Sequence, residues 1–201
     1  MPEADPDNYV RGQYDGYREI DGVRRNSTTE TFAALKVEID NWRWAGVPFF
    51  IRTGKHLSLT QTELRLLFRD PPKVHFLGSS RRRPQPNQIV FRIDPSTGIR
   101  LVLEAQRADQ PSAGEIELDM EFAQEGGEGA TPYEVLLHAA LVGDSTHFTR
   151  QDGVEATWRI VQPLLQSPPR AQPYKKGSWG PKAADELVAA FGGWHAPWVG
   201  R

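Results

Sequence analysis

Residues 47–57 run VPFFIRTGKHL, an apolar stretch of the kind that forms a buried strand, ending in Arg52, Thr53, Gly54 and Lys55. A glycine admits close approach to the backbone, and a lysine amine acts as a point charge for a phosphate or for sugar hydroxyls. Lys55 is therefore either a strand-end lysine in water, the commoner arrangement for an amine, or a cation placed to meet an anion. His56 adjoins it, although adjacency alone does not make a base.

Other residue groups could also do chemistry. Glu115, Glu117, Asp119 and Glu121 share one face of a strand because side chains repeat every two residues. Four carboxylates could ligate a hard cation, but oxygen ligands usually come from a loop that wraps the ion. Pairing with Arg65, Arg92 and Arg100 on neighbouring strands is the simpler use, and no metal site is expected. GGEGATPYEVLL, residues 126–137, lies between a strand and a helix, where a phosphate loop would sit. It lacks the G-x-G-x-x-G spacing, and Glu125 and Glu128 would repel a pyrophosphate, so it reads as a plain loop. Arg81, Arg82 and Arg83 stand between serines and prolines with no interleaved aromatic residues, which reads as a solvated loop. The histidines His56, His75, His138, His147 and His195 show no close ligand spacing. His138 lies beside an apolar helical stripe and reads as a packing residue.

The bulk composition narrows the function. With 24 basic and 26 acidic residues the net charge is −2, which gives no field for nucleic acid or an anionic membrane. The absence of cysteine excludes disulfides, thiolate metal sites and a cysteine nucleophile. MPEADPDNYVRGQY has no signal-peptide character and no run approaches a membrane span, so a cytoplasmic soluble protein is expected.

The elements that must position these groups follow from hydrophobic periodicity. Residues 1–8 are expected to lack fixed structure. Residues 31–39 alternate with a period close to two and predict a strand, as does PFFIR. Four cleaner alternations carry Leu64, Leu66 and Phe68; Ile89, Phe91 and Ile93; Ile99, Leu101 and Leu103; and Ile116, Leu118 and Met120. Short strands in series without intervening helices cannot be parallel neighbours. They predict a large, mainly antiparallel sheet with one covered face. The last third turns helical: Tyr133, Leu136, Leu137, Ala140 and Leu141 form one stripe behind a Thr131 to Glu134 capping box. Val154, Trp158, Val161 and Leu165 form a second, and Ala184, Leu187, Val188 and Phe191 a third. Residues 167–180 read as a proline-rich connector. Strands grouped before helices predict an α+β fold, taken as one domain over 1–201 with helices packed on one face of the sheet.

The blocks RGQY (11–14), NSTTETFAAL (26–35), IDNWRWAGVPFFIRTGK (39–55), TELRLLF (62–68) and GSWGP (177–181) together resemble the C-terminal domain of glucose-6-phosphate dehydrogenase. The resemblance runs from about Tyr9 to Trp198. It implies a domain whose antiparallel sheet makes the contact of a homodimer or higher oligomer. It also implies oxidation of glucose 6-phosphate to the lactone, with hydride passed to NADP. The family's Rossmann glycines, its DHYLGKE-type block and its Asp–His base precede the matched segment and are not in these 201 residues. NADP is thus expected through an N-terminal half, encoded separately if need be, and no catalytic residue is assigned. Lys55 is similar to the family lysine that reaches the sugar phosphate, and Arg52 of the same block is the candidate cofactor contact.

Two departures stand out. A second basic residue commonly follows that lysine by five positions, where this chain has Thr60; an amide common in the RIQP strand is replaced by Asp94. Losing a cation and gaining an anion beside a phosphosugar would each weaken binding by ~1 kcal/mol or more where desolvated. Arg65, Arg92 and Asp119 match the region where some animal members hold a second NADP. Arg100, Val102 and Trp179 depart from it, and that site is not expected here. A second use of such a chain is a non-catalytic assembly or regulatory module that pairs with a full-length dehydrogenase.

Overall fold

The structure, a computed structural model, describes residues 1–70, 85–106, 113–122 and 131–199. In chain order the strands are β1 (Tyr9–Tyr14), β2 (Phe32–Glu38), β3 (Pro48–Gly54), β4 (Thr62–Leu67), β5 (Gln88–Asp94), β6 (Gly98–Gln106), β7 (Ala113–Glu121) and β8 (Gln172–Tyr174). The helices are α1 (Pro132–Val142), α2 (Gln151–Gln166) and a short α3 (Ala183–Glu186). The mixed α+β layout is the one the alternating and helical periods predict. Its strands are shared between two four-stranded sheets, ordered β3-β2-β1-β8 and β4-β5-β6-β7. The chain correspondingly divides into two units, Met1–Leu59 with Ala130–His195, and Thr60–Gly129 with Ala196–Arg201.

In the first unit β1, β2 and β3 pair antiparallel, while β8 joins the other edge of β1 in parallel. The reading of 167–180 as a connector missed this strand. Three residues around a proline give too short a run for a period to show, and a parallel partner far away in sequence leaves no local signal. Alternation along β1 and β2 sends residues to two cores. Phe32, Ala34, Tyr14, Tyr174 and Ala184 are buried together on one side. Tyr9 and Leu164 are buried together with Ala4 on the other, beside Leu35 and Ile160. The first eight residues, expected to be loose, are pinned here: Ala4 is buried and its N–H donates to the Ile160 carbonyl at 2.8 Å. Their polar composition hid a single alanine that does the anchoring.

The helices depart from the predicted stripes. In α1 the capping box is present, with the Thr131 N–H donating to Glu134 Oε2 at 2.6 Å. The stripe of Tyr133, Leu137 and Leu141 nevertheless lies exposed, and only Ala139 is buried. His138, read as a packing residue, is exposed beside them. In α2 the side chains that pack are Ile160 and Leu164, whereas Val154, Trp158 and Leu165 are exposed. Both helices carry more apolar surface than this chain covers, so the richest stripe does not identify the packed one. Among the described residues no helix is long and apolar enough to cross a membrane.

The second unit is an antiparallel meander from β4 to β7. Register places Leu64 beside Phe91, Phe91 beside Ile99, and Ile99 beside Met120, so the apolar residues of four strands form one face. The alternation predicts that this face is covered. Instead Leu64, Ile93, Leu118 and Met120 are 50%, 57%, 52% and 60% exposed. The buried residues Gln88, Val90, Arg92 and Val102 belong to the opposite, more polar face.

Candidate functional site

Phe32 organises the end of β3 that carries Lys55. Its ring is buried against glycine backbone on several sides. A Cβ at Gly54 would lie 2.9 Å from Phe32 Cδ2, and one at Gly12 would lie 3.1 Å from Phe32 Cβ. Gly180, at φ +101°, presses directly onto the same ring. Gly54 is thus required by the core beneath it, and this steric need accounts for a glycine before the lysine.

The Lys55 backbone is fixed on both sides. Its N–H donates to the Thr31 carbonyl at 2.8 Å, and its carbonyl accepts from the Tyr174 hydroxyl at 2.7 Å. His56 follows at φ 51°, a left-handed conformation uncommon for a residue with a Cβ. Its ring meets Tyr14 edge-on with centroids 4.6 Å apart. Two further hydrogen bonds hold the turn, from Gly177 N–H to the His56 carbonyl at 2.8 Å and from Ser58 N–H to the Ser178 carbonyl at 3.0 Å. The Lys55 side chain is exposed, and its amine has no hydrogen-bond or ion-pair partner among the described residues. A free cation on a fixed backbone can meet an anionic group with little ordering cost.

Arg52, three residues earlier, is placed differently. Its guanidinium lies 4.7 Å from the centre of the Trp179 ring and 4.5 Å from that of Trp194. The Trp194 indole N–H donates to the Ala184 carbonyl at 2.8 Å, which fixes one wall of this clasp. Stacking of this kind orients a guanidinium.

The RGQ and STTET blocks form one built unit. Arg11 donates to the Pro169 and Thr28 carbonyls at 3.0 and 2.9 Å and pairs with Glu30 at 2.6 Å. Gln13 Nε2 donates to the Ser27 and Thr29 carbonyls at 2.9 and 2.8 Å. Burial works upward on the Glu30 carboxyl, but the Arg11 hydrogen bond and charge, with a backbone hydrogen bond, bring it below the usual glutamate value. These side chains hold the loop that leads into Thr31 and hence the carbonyl to which Lys55 is tied.

Thr60 and Asp94 fall in the second unit. β4 begins two residues after Thr60, and Thr62 pairs with Asp94, so both lie at one end of that sheet. Both are exposed. On the polar face of the same sheet Trp198 is 2% exposed, with the Arg92 and Arg100 guanidinia 4.1 and 4.8 Å from its ring centre. Trp198 N–H donates to Glu63 Oε2 at 2.9 Å. The acidic strand pairs as the alternation suggests: Arg100 meets Asp119 at 2.7 Å and Glu117 at 3.1 Å, and Arg92 meets Glu121 at 2.6 Å. Arg65 instead pairs with Glu63 of its own strand at 3.1 Å. Among the described residues no cluster of three metal-ligating side chains occurs. Arg81 to Arg83, His75 and the glycines 126–129 lie outside the described residues.

Sequence reasoning passed over Tyr174 and Trp198. Tyr174 carried a signal in its place three residues before the GSWGP block. Trp198 carried none beyond its residue type.

Comparison with known proteins is consistent along the whole chain. The family profile described as "Glucose-6-phosphate dehydrogenase, C-terminal domain" matches residues 1–196. A glucose-6-phosphate 1-dehydrogenase 1 of Mycobacterium tuberculosis (strain CDC 1551 / Oshkosh) is 53% identical over 201 residues, 100% of this chain and 42% of that protein. The crystal structure of glucose-6-phosphate 1-dehydrogenase from Mycobacterium avium is 51% identical and superimposes with a TM-score of 0.87, over 99% of this chain and 42% of that one. A glucose-6-phosphate dehydrogenase solved in complex with its substrate glucose-6-phosphate is 30% identical, with a TM-score of 0.82 over 97% of this chain and 43% of that one. The chain thus spans less than half the length of the relatives it matches.

Proposed function

The chain belongs to the glucose-6-phosphate dehydrogenase family as its C-terminal domain, and on that premise we propose that it forms the substrate side of an enzyme that oxidises glucose 6-phosphate to 6-phosphogluconolactone with NADP. Lys55 carries the reading. Its amine is exposed and has no partner among the described residues, its backbone is tied on both sides, and it stands in the RTGK block that the chain shares with the family. In this role Lys55 holds the sugar phosphate as a point charge. Thr60 and Asp94 are the weaker substrate-binding candidates, with less cationic character than the family commonly provides, and Arg52 is the candidate cofactor contact.

Hydride transfer needs a positioned nicotinamide and a base for the hydroxyl proton. These 201 residues hold no G-x-G-x-x-G and no DHYLGKE-type block. The chain alone is therefore expected to be inactive and to act with a nucleotide-binding half. The exposed apolar stripes of α1 and α2, with Leu137, Leu141 and Trp158, support such a partner. The open apolar face of the β4–β7 sheet supports pairing between copies. It equally favours a second reading, a non-catalytic module that docks onto a full-length dehydrogenase through the same face.

NADPH formation from glucose 6-phosphate, followed by absorbance, tests the proposal. The chain is assayed alone and mixed with a separately expressed N-terminal half of a relative. Activity only on mixing, lost in Lys55→Ala, is the expected result. Turnover by the chain alone overturns the division of labour. Silence in both, with capture of full-length enzyme, moves the reading to the assembly module.

A further inference from the structure

We propose that Tyr174 is a positioning residue for Lys55, setting the backbone from which the lysine reaches its ligand; the inference rests on the reading of Lys55 as the phosphate-binding cation. Tyr174 ends β8, where it pairs in register with Tyr14, and its side chain is buried. The hydroxyl lies 2.7 Å from the Lys55 carbonyl, 3.1 Å from the Thr31 carbonyl and 3.1 Å from Thr31 Oγ1. A phenol has one proton, and the shortest of these contacts directs it to Lys55 while the hydroxyl oxygen accepts from Thr31. Burial foremost raises the Tyr174 pKa, so the donor is retained at neutral pH.

The contact is one of three between the Lys55–Ser58 turn and residues 174–178. The others are Gly177 N–H to the His56 carbonyl and Ser58 N–H to the Ser178 carbonyl. Only Tyr174 acts on Lys55 itself, and it does so through a side chain, so it can be removed without altering the backbone. The turn it closes contains His56 in a left-handed conformation, which persists only where its surroundings fix it. Without the hydroxyl, the Lys55 carbonyl loses its anchor and the turn can relax toward a conformation that points the amine elsewhere. Tyr174 touches no reacting atom in this scheme. Its effect falls on how well the sugar phosphate is held.

The test is glucose 6-phosphate binding to the full chain by NMR titration, with amide hydrogen exchange at Lys55 read in parallel. Tyr174→Phe keeps the ring in the core and removes only the oxygen. It is expected to weaken binding about three- to tenfold, the range for one lost hydrogen bond, and to speed exchange at the Lys55 amide. Val102→Ala, which opens the buried core of the second sheet, serves as a stability control and should leave both readouts unchanged. Equal binding by Tyr174→Phe and the parent overturns the proposal, as does an equal loss in the control. Lys55→Ala separates the two levels of inference. If it binds as the parent does, or if the parent does not bind, the reading of Lys55 fails and the positioning role fails with it. If Lys55→Ala loses binding while Tyr174→Phe keeps it, only the positioning role is lost.

Discussion

The two sheets are built on opposite plans. The β3-β2-β1-β8 sheet is covered on both faces by residues of its own unit, with Phe32 and Tyr174 on one side and Tyr9 and Leu164 on the other. Its layers approach so closely that glycine is needed at two points against one phenyl ring, Gly54 and Gly180. The β4–β7 sheet leaves its apolar face open and buries arginines on the other under Trp198. A sheet closed by its own unit can hold a side chain such as Lys55 at a fixed place. A sheet with an open apolar face is completed by something else. Positioning and assembly are thus assigned to different sheets of one chain.

The contrast is broken most strongly at Gly180. An alanine there must adopt φ near +101° and place its Cβ into the Phe32 ring. Strain and overlap together are expected to cost about 3 kcal/mol or more, read as a large fall in thermal midpoint or failure to fold. The same change at Gly114 in β7 meets nothing among the described residues, and its midpoint should stay near that of the parent. Comparable losses at both positions would show that the first sheet has no special intolerance.

Trp198→Ala probes the covered face of the second sheet. It removes a ring that is 2% exposed and leaves Arg92, also buried, without its stack. A loss of about 3 kcal/mol is expected from the lost burial and cation–π contact, measured as a lower urea midpoint. A change within experimental error would mean that the arginines are held by their carboxylate and carbonyl partners without the ring.

Leu118→Glu tests the open face. The side chain is already half in water, so the folded chain should tolerate the charge. A carboxylate in the centre of an apolar contact should raise the dissociation constant of a dimer about a hundredfold or more. Sedimentation equilibrium of the parent and variant at micromolar concentration measures this. A parent that is already monomeric would remove the assembly role from this face.

These contrasts show which parts of the molecule were legible from sequence. Alternation along β4 to β7 gave the strands, their antiparallel order and the pairing of Arg92 and Arg100, though not of Arg65, with the acidic strand, because a meander is written in local periodicity. It could not show which face would be covered. That depends on Trp198, which lies far along the chain, and on surfaces outside it. The capping box of α1 was legible because its two partners are three residues apart. The buried side of α1 and α2 was not, since both helices are apolar on more than one face. At the candidate site, Lys55 was legible as a cation at a strand end, next to a glycine that admits close approach. The reason for Gly54, contact with Phe32, and the anchor Tyr174 both required the fold.

The smallest effect is sought at the Arg11–Glu30 pair, where a gentle change in pH can separate the first sheet from the second. The Glu30 pKa is lowered in the folded chain, so the folded state holds this proton more weakly than the unfolded state does. Its stabilising contribution is fully present above the usual glutamate value and fades as pH falls through the lower, folded value. Glu30 keeps 31% of its side-chain surface in contact with solvent, so the contribution is modest. Glu30→Gln should accordingly lower the urea midpoint slightly at pH 7, and the difference from the parent should close as pH falls through the lowered, folded value. Amide exchange in β1 and β2 should report the change, whereas β5 and β6 should not. A difference that persists unchanged into acid would mean that Glu30 acts through shape and hydrogen bonding rather than through its charge. Arg11 would then be held mainly by the Pro169 and Thr28 carbonyls.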